Sequence, residues 1–244
     1  MKNLLKISLV FVLLFSCTNE KEKNENSSDL TFLKSIKLQI PEPSGITFFN
    51  NSLWIVSDDE SSVFNVDTLG NILNTISVDG KDLEGITNIS DSVIVIVLER
   101  DRKVVSINLS GKEIKSKTID ITGELNYGLE GIGFNQIKRN FYILNEKNPL
   151  LIIELDENFE ELSRKEIHFA KDISGITFDE NRDAYWVTSD ESNSIILCSH
   201  SFEVIKEFKV NIPQIEGIAI DIEKNRLYVV SDRTESLYIY QINR

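Results

Sequence analysis

Two sets of acidic side chains recur at fixed places along the chain, and both could do chemistry. The first set, Glu84, Glu130 and Glu216, stands directly before a Gly-Ile pair in each case. The second set follows short apolar runs further along and consists of Asp58, Glu99, Glu146, Asp190 and Asp232. Carboxylates that crowd together must take up protons, pair with bases or share a cation, because their repulsion is costly away from bulk water. What these acids do therefore depends on whether the fold brings them together.

The repeat that carries these acids predicts the fold. Five glycines that precede an isoleucine, Gly45, Gly85, Gly131, Gly175 and Gly217, are separated by 40, 46, 44 and 42 residues. Periods of this length are typical of propellers and solenoids. Each copy continues with runs of β-branched and aromatic residues between turn residues, such as Leu53 to Val56, which indicate strands. Four copies contain four such runs, and the fifth contains three.

The incomplete fifth copy favours a closed ring. It ends at Arg244 after its third strand, whereas an unassigned strand-like segment, residues 31–40, precedes the first copy. Pairing these two segments would close a ring and remove the open sheet edges. We therefore predict an all-β, five-bladed β-propeller with four antiparallel strands per blade, in which the N-terminal strand completes blade 5. A linear β-solenoid is the alternative, but it would leave residues 31–40 without a structural role.

The first residues predict export and anchoring. Lys2 and Lys6 accompany an apolar stretch, Ile7 to Phe15, that is too short to span a bilayer and is typical of a signal peptide. The stretch leads into Ser16-Cys17, which resembles the lipobox of bacterial lipoproteins and predicts a lipidated Cys17. We expect a signal peptide at 1–16, a lipidated Cys and tether at 17–30, and the propeller at 31–244. A plain signal peptide with an incidental Cys17 thiol is the alternative.

Charge and composition restrict the partners. The 244 residues include 39 acids and 26 bases, for a net charge of -13, which would repel a nucleic-acid backbone. Residues of hydrophobic type make up 41% of the chain and charged residues 27%, as in an ordinary globular protein. We expect a monomer in the cell envelope, held to an inner or outer membrane by its lipid, with a small-molecule or protein ligand.

The repeated [Asp/Gly]-x-[Glu/Ser]-Gly-Ile units resemble the SdiA-regulated family of bacterial membrane-associated propellers, which are distantly similar to NHL-repeat proteins. The resemblance covers about residues 31–244 and is most specific at Asn126 to Gly131 and at Asn145-Glu146-Lys147. It implies five blades and a calcium site, but no established reaction. A more remote similarity joins the chain to six-bladed lactonase propellers, which also hold a divalent cation.

In a propeller the innermost strand of each blade lines the axis, so both acidic sets should converge at one mouth of the channel. Oxygen donors without His or Cys favour calcium over zinc. The predicted metal ligands are Glu84, Glu130, Glu216, Glu146 and Glu99. The predicted supporting ring consists of Ser44, Ser174, Asp58, Asp190 and Asp232.

Ion pairing competes with a metal site as an explanation of these acids. Arg100, Lys147 and Arg233 directly follow second-strand acids in the three blades whose inner strand starts with Glu. Pairs of Glu84 with Arg100, Glu130 with Lys147 and Glu216 with Arg233 would be structural and, if exposed, worth roughly 0 to 1 kcal/mol each. Both interpretations remain open from the sequence, since one carboxylate can contact a cation and an Arg together.

The remaining reactive residues give weaker signals. His168 and His200 have no neighbouring Ser or Cys with the spacing of a catalytic triad, and Cys198 lies in an apolar run that predicts burial. Trp54 and Trp186 occupy equivalent second-strand positions, where packing between blades is expected.

The function predicted from these features is a calcium-binding module or scaffold in the envelope. The alternatives are a calcium-dependent hydrolase of lactones, esters or phosphoesters that uses the acidic ring, and a spacer between the membrane and a partner. Whether the protein is an enzyme stays open.

Overall fold

The computed structural model describes residues 29–122 and 128–243. The predicted signal peptide, Cys17, the tether up to residue 28 and the Asn126-Tyr127 motif lie outside these ranges. Within them there is no helix that is long and apolar enough to cross a membrane.

The regular secondary structure of the described residues consists of twenty β-strands. The first strand and blade 1 comprise β1 (Leu30–Lys37), β2 (Pro43–Phe49), β3 (Ser52–Ser57), β4 (Ser62–Val66) and β5 (Ile72–Ser77). Blade 2 comprises β6 (Leu83–Ser90), β7 (Val93–Leu98), β8 (Lys103–Asn108) and β9 (Glu113–Thr118). Blade 3 comprises β10 (Leu129–Asn135), β11 (Asn140–Asn145), β12 (Leu151–Leu155) and β13 (Glu161–Glu166). Blade 4 comprises β14 (Ile176–Asp179), β15 (Ala184–Ser189), β16 (Ser194–Ser199) and β17 (Val204–Lys209), and blade 5 adds β18 (Ile215–Asp221), β19 (Arg226–Ser231) and β20 (Ser236–Ile242).

These strands form five four-stranded antiparallel sheets, which confirms the predicted propeller. Four blades use consecutive strands, whereas the fifth has the order β1-β20-β19-β18. The N-terminal strand therefore completes the last blade, with partners from Leu30 and Ile242 to Lys37 and Ser236. The strand begins slightly earlier than predicted, because Leu30 pairs in the sheet and the Asn243 backbone nitrogen donates to the Asp29 carbonyl at 2.9 Å.

Burial follows the position of a strand within its blade. Every residue of β3 and β15, the second strands of their blades, is buried, whereas every residue of the outer strand β13 is exposed. The hydrophobic clusters lie between neighbouring blades; one of them joins Val97 of blade 2 to Ile132 of blade 3. Stability thus comes from apolar area buried between the faces of adjacent sheets.

The predicted roles of three unusual core residues are confirmed. Cys198 is buried, and its burial raises the pKa of the thiol to about 12. Trp186 is buried in a hydrophobic cluster with strands of blade 5, and it donates its indole N–H to Asp179 at 3.0 Å. Trp54 is buried in a cluster with strands of blade 2, and it stacks on Phe49 with ring centroids 4.8 Å apart.

Five glycines bring the inner strands together at the axis. A Cβ atom on Gly45 would lie 2.1 Å from the Glu84 carbonyl oxygen, and one on Gly85 would lie 2.4 Å from that of Glu130. The same close approach recurs around the ring at Gly131, Gly175 and Gly217. The channel at this level, which we call the glycine neck, encloses only about 10 Å³, about the least space that holds one water molecule. The neck therefore separates two wider mouths.

Candidate functional site

Antiparallel pairing places the two acidic sets at the same end of the propeller. The first residues of each inner strand lie beside the last residues of the second strand, as Leu83 lies beside Leu98 in blade 2. Glu84 and Glu99, which follow those two residues, therefore reach the same mouth of the channel. The mouth holds a cavity of about 200 Å³, which we call the acidic mouth. It is lined by Glu42, Ser44, Asp58, Glu84, Glu99, Glu130, Glu216 and Asp232.

The structure brings together most, but not all, of the residues selected from the sequence. The lining of the acidic mouth includes four of the five expected ligands and leaves out Glu146. It also leaves out Asp190 and Ser174 of the expected supporting ring, so that blade 4 contributes no residue to this cavity. The lining of the acidic mouth is therefore asymmetric around the axis, since most of its residues belong to blades 5, 1 and 2.

Glu42 lines the cavity but was missed by sequence reasoning. It lies two residues before Ser44, at the repeat position that Asp82 occupies in blade 2. Both residues have a positive φ, 41° for Glu42 and 53° for Asp82, so the chain makes the same turn before each inner strand. An alignment of the repeats that extended two residues further toward the N-terminus would have indicated Glu42.

Burial and mutual repulsion raise the pKa of the carboxyl groups in the acidic mouth. For Glu84 the largest cause is burial, followed by the charges of Asp58, Glu216 and Glu99, and the pKa lies well above its ordinary value of 4.5. Burial and the neighbouring acids also raise the pKa of Glu130 and of Glu216 well above that value. These three groups therefore resist ionisation more strongly than isolated carboxylates do.

Glu99 shows the same effect with one compensating contact. Its side chain is buried, and burial raises its pKa, while the backbone N–H of Gly128 donates to Oε1 at 3.2 Å and lowers it. Asp58 and Asp232 also have a raised pKa, with burial as the largest cause. The whole lining thus favours a bound proton or another cation.

The predicted ion pairs within the blades are wrong, because the bases do not contact the glutamates with which they were expected to pair. Arg100 contacts Asp82, with Nη1 and Oδ1 3.5 Å apart, rather than Glu84. Lys147 contacts Glu146 at 2.6 Å and Glu191 at 3.0 Å rather than Glu130. Arg233 is exposed and makes no ion pair with any residue of the described ranges. Each base lies just after the end of a second strand, outside the extended chain, and the side chains of Arg100 and Lys147 reach acids other than the inner-strand glutamates expected from the sequence.

Lys147 explains why Glu146 differs from the other expected ligands. Its ammonium group bridges Glu146 of blade 3 and Glu191, which follows β15 of blade 4. Burial still raises the pKa of Glu146, but the hydrogen bond and charge of Lys147 oppose that rise. On the blade 3–4 side of the axis a base of the protein therefore compensates part of the acidic charge, whereas no base lines the acidic mouth.

The two serines of the supporting ring connect blades. Ser44 Oγ donates to the Leu83 carbonyl at 2.5 Å, and Ser174 Oγ donates to the Ile215 carbonyl at 2.8 Å. Both bonds run from one blade to the start of the next inner strand. Because both hydroxyl hydrogens are donated to these carbonyl oxygens, the serine oxygens can act only as hydrogen-bond acceptors or weak metal ligands.

The donor set fits a hard cation in its chemistry. All lining side chains offer oxygen, which calcium prefers, and none offers nitrogen or sulfur. Within the described ranges, however, no three His, Cys, Asp or Glu side chains stand close enough to hold a metal ion together. A cation here would have to draw carboxylates inward or reach some of them through water.

Comparison with known proteins agrees with the repeat and the fold. A family model described as SdiA-regulated matches residues 24–240. The fold is similar to glutaminyl cyclase from Myxococcus xanthus, with a TM-score of 0.68 and 8% identity over 88% of this chain and 96% of that one. It is also similar to virginiamycin B lyase from Staphylococcus aureus, with a TM-score of 0.54 and 15% identity over 83% of this chain and 81% of that one. A luciferin-regenerating enzyme matches with a TM-score of 0.56 and 13% identity over 86% of this chain and 95% of that one.

Proposed function

This chain belongs to the SdiA-regulated family, and from that premise we propose that it is an envelope-anchored binding module whose acidic mouth takes up calcium. The observation that carries the proposal is the cavity of about 200 Å³ lined by seven acids and one serine without a base. Such a lining is electrostatically incomplete at neutral pH, because burial and like charges both disfavour the ionised state.

A divalent cation would supply the positive charge that the lining of the acidic mouth lacks. It would offset the repulsion among Glu84, Glu130 and Glu216, and calcium accepts six to eight oxygen ligands in flexible geometry. That flexibility suits carboxylates spread across a cavity better than the stricter octahedron of magnesium would. Glu84, Glu99 and Glu130 of blades 2 and 3 with Glu216 of blade 5 are the residues that would hold it.

A basic group of a partner is the competing occupant of the acidic mouth. An ammonium group, such as a lysine side chain, also neutralises carboxylates, but it brings one charge and needs hydrogen-bond acceptors at short range. Calcium and such a ligand would compete for the same oxygens, so a displacement experiment separates them.

Anchoring in the envelope rests on the N-terminal residues. Ser16-Cys17 follows the apolar stretch as a lipidation site requires, and β1 begins at Leu30, so the residues between Cys17 and β1 can serve as a short tether. Labelling of cells with an alkyne fatty acid tests this point. We expect label on the wild-type chain and none on Cys17→Ser, and a labelled Cys17→Ser chain would contradict lipidation.

Calorimetry on the chelator-stripped protein at neutral pH tests the calcium site. We expect heat on addition of calcium, a smaller response to magnesium, and a stability gain of about 2.7 kcal/mol when calcium exceeds its Kd a hundredfold. Glu84→Gln and Glu130→Gln should each weaken binding at least tenfold, because a ligand charge is removed. Glu166→Gln, at an exposed position of β13, is the matched control and should bind as the wild type does. Absence of calcium heat in the wild type would overturn the proposal.

Hydrolysis is a second candidate, favoured by the raised pKa of Glu84 and Glu130. A carboxyl group whose pKa is raised keeps its proton to a higher pH and can donate it as a general acid. Turnover of an ester, lactone and phosphoester panel that is lost in Glu130→Gln but kept in Glu166→Gln would establish catalysis. No turnover by a calcium-loaded wild type leaves the binding module as the function.

A further inference from the structure

The mouth on the other side of the glycine neck has a different chemistry. It encloses about 180 Å³, and its lining includes Thr47, Thr87, Thr177, Asn88 and Phe134. We call it the hydroxyl mouth. The space has room for several water molecules or one small organic molecule. The neck, with about 10 Å³, isolates it from the acidic mouth.

The hydroxyls of this mouth come from one position of the repeat. Thr47, Thr87 and Thr177 each stand two residues after a neck glycine, so the strand period of two keeps them on the axial side. The equivalent residues in blades 3 and 5 are Gly133 and Ala219, which have no polar side chain and occupy little space. Three hydroxyls from one position of the repeat therefore line the cavity.

Thr87 gives the observation that points to a ligand. Only 6% of its surface is exposed, yet its hydroxyl has no hydrogen-bond partner in the described part of the chain. Thr177 also lacks one there, and the Thr47 hydroxyl reaches only Asn88 Oδ1 at 3.5 Å, the outer limit of a hydrogen bond. The Thr87 hydroxyl is therefore left to bond with whatever occupies the cavity, and an occupant with hydroxyl groups of its own can both donate to it and accept from it.

The rest of the lining selects the class of that molecule. Besides Asn88, the lining contains one other amide, Gln136, and one carboxylate, Glu180. Both of these residues are exposed, and no base lines the cavity. An ionic guest would lose its hydration without gaining a buried counter-charge, and a hydrocarbon would leave Thr87 unsatisfied. Phe134 and Phe178 add buried apolar walls. Hydroxyls, an amide and aromatic carbon together suit a neutral molecule with several hydroxyl groups on a compact carbon frame.

We propose that the hydroxyl mouth is a second binding site, separate from the acidic mouth, for a small neutral polyhydroxylated molecule of the sugar or polyol class. Thr87 and Thr177 donate to and accept from its hydroxyls, and Asn88 offers its amide. Because the site holds no carboxylate at depth, its occupancy does not depend on calcium.

Saturation-transfer NMR on the full chain tests this site with D-glucose and myo-inositol as probes, and with choline and acetate as charged comparisons. We expect transfer to at least one neutral probe at millimolar concentration and none to the charged ones, with and without a calcium chelator. The double variant Thr87→Val, Thr177→Val keeps the side-chain shape and should weaken binding about tenfold through lost hydrogen bonds. Thr118→Val, at the exposed end of β9, is the matched control and should leave binding unchanged.

A second measurement needs no substitution and so remains valid if the double variant fails to fold. In the wild type with labelled threonine methyl groups, a bound probe should shift the Thr87 and Thr177 signals and leave Thr118 in place. Absence of transfer to both neutral probes would mean that water alone fills the cavity and would overturn the proposal. Binding that persists unchanged in the double variant would overturn it as well. Neither result bears on calcium uptake at the acidic mouth.

Discussion

Gly217 of the last inner strand lies so close to Ile46 of the first that a Cβ atom on Gly217 would stand 2.6 Å from the Ile46 backbone nitrogen. This contact closes the ring at the axis, where blade 5 meets blade 1. The pairing of β1 with β20 closes it at the rim. The two closures act together, because each holds the ends of the chain in the position that the other requires.

Substitution of Gly217 should therefore destabilise the ring. We expect Gly217→Ala to lower the free energy of unfolding by about 1–3 kcal/mol, since the added methyl group meets backbone that cannot move independently. Gly80→Ala is the control, because its Cβ would meet only the terminal methyl groups of Leu98, at 3.0 Å. Urea unfolding measures both variants, and an equal loss in the two would contradict the importance of the neck.

Removal of β1 should be more damaging than any single substitution. A chain that begins at Leu38 loses every partner of β20 from Leu30 to Lys37 and exposes the face of Tyr240. We expect loss of cooperative unfolding, because the cost approaches the total stability of about 5–15 kcal/mol typical of a domain. A chain that begins at Asp29 keeps β1 and should unfold like the full chain. Circular dichroism during heating distinguishes these outcomes, and a sharp transition in the shorter chain would argue against ring closure by β1.

The acidic mouth predicts an unusual pH dependence in the absence of calcium. Glu84, Glu130 and Glu216 have a higher pKa in the folded chain than the ordinary 4.5, so the folded state binds more protons than the unfolded state just above that pH. Stability must then fall as the pH rises from about 4.5 through the raised values. Each group contributes about 1.4 kcal/mol per unit of its shift.

Unfolding in urea with a chelator from pH 5 to pH 8 measures this dependence. Carboxylates with a lowered pKa, such as the half-buried Glu154, take up their protons below this pH range and do not obscure the dependence. Glu84→Gln should flatten the slope and Glu166→Gln should not. Stability that rises steadily from pH 5 to pH 8 would show that the mouth is hydrated and its carboxylates are ordinary acids.

Lys147 should contribute more to the free energy of unfolding than the other lysines that contact an acid of a neighbouring blade. Lys147→Met leaves Glu146 without the ammonium group 2.6 Å away in a region where both side chains are about four-fifths buried. We expect a loss of about 1–3 kcal/mol at pH 8, between the values for exposed and buried pairs. The loss should shrink at pH 5, where Glu146, with its raised pKa, can take up a proton.

Lys165→Met gives the comparison for Lys147. Lys165 also contacts an acid of the next blade, Glu203 at 3.0 Å, but the Glu203 side chain is 77% exposed. We expect a loss below about 1 kcal/mol that varies little with pH. Equal losses in the two variants, measured by urea unfolding, would refute a special role for Lys147.

The fold could be predicted because its determinants are local and repeated. Each Gly-Ile unit and the apolar runs after it specify one blade, and five units specify five blades. The missing strand after Ile242 and the extra strand before the first unit predicted the ring closure as well. Only the starting point differed, since Leu30 pairs with Ile242 although the strand was expected from Thr31.

The site could be predicted only in outline. The sequence indicated that Glu84, Glu130 and Glu216 converge, because their position in the repeat is the same. It could not indicate that Lys147 would turn toward Glu191 of another blade, or that Arg100 would contact Asp82. Those partners depend on distances between blades and on which way a turn directs a long side chain. The hydroxyl mouth escaped sequence reasoning because threonine in a strand is common and gives no signal by type.

The amino-acid order by itself determined the number of blades, the strand pattern and the end of the propeller at which the acids gather, because periodicity along the chain becomes symmetry around the axis. The tertiary structure alone decided which acids share a cavity and which of them contact a base. That choice depends on burial and on charges from neighbouring blades, which are distant in sequence and meet only when the ring has closed.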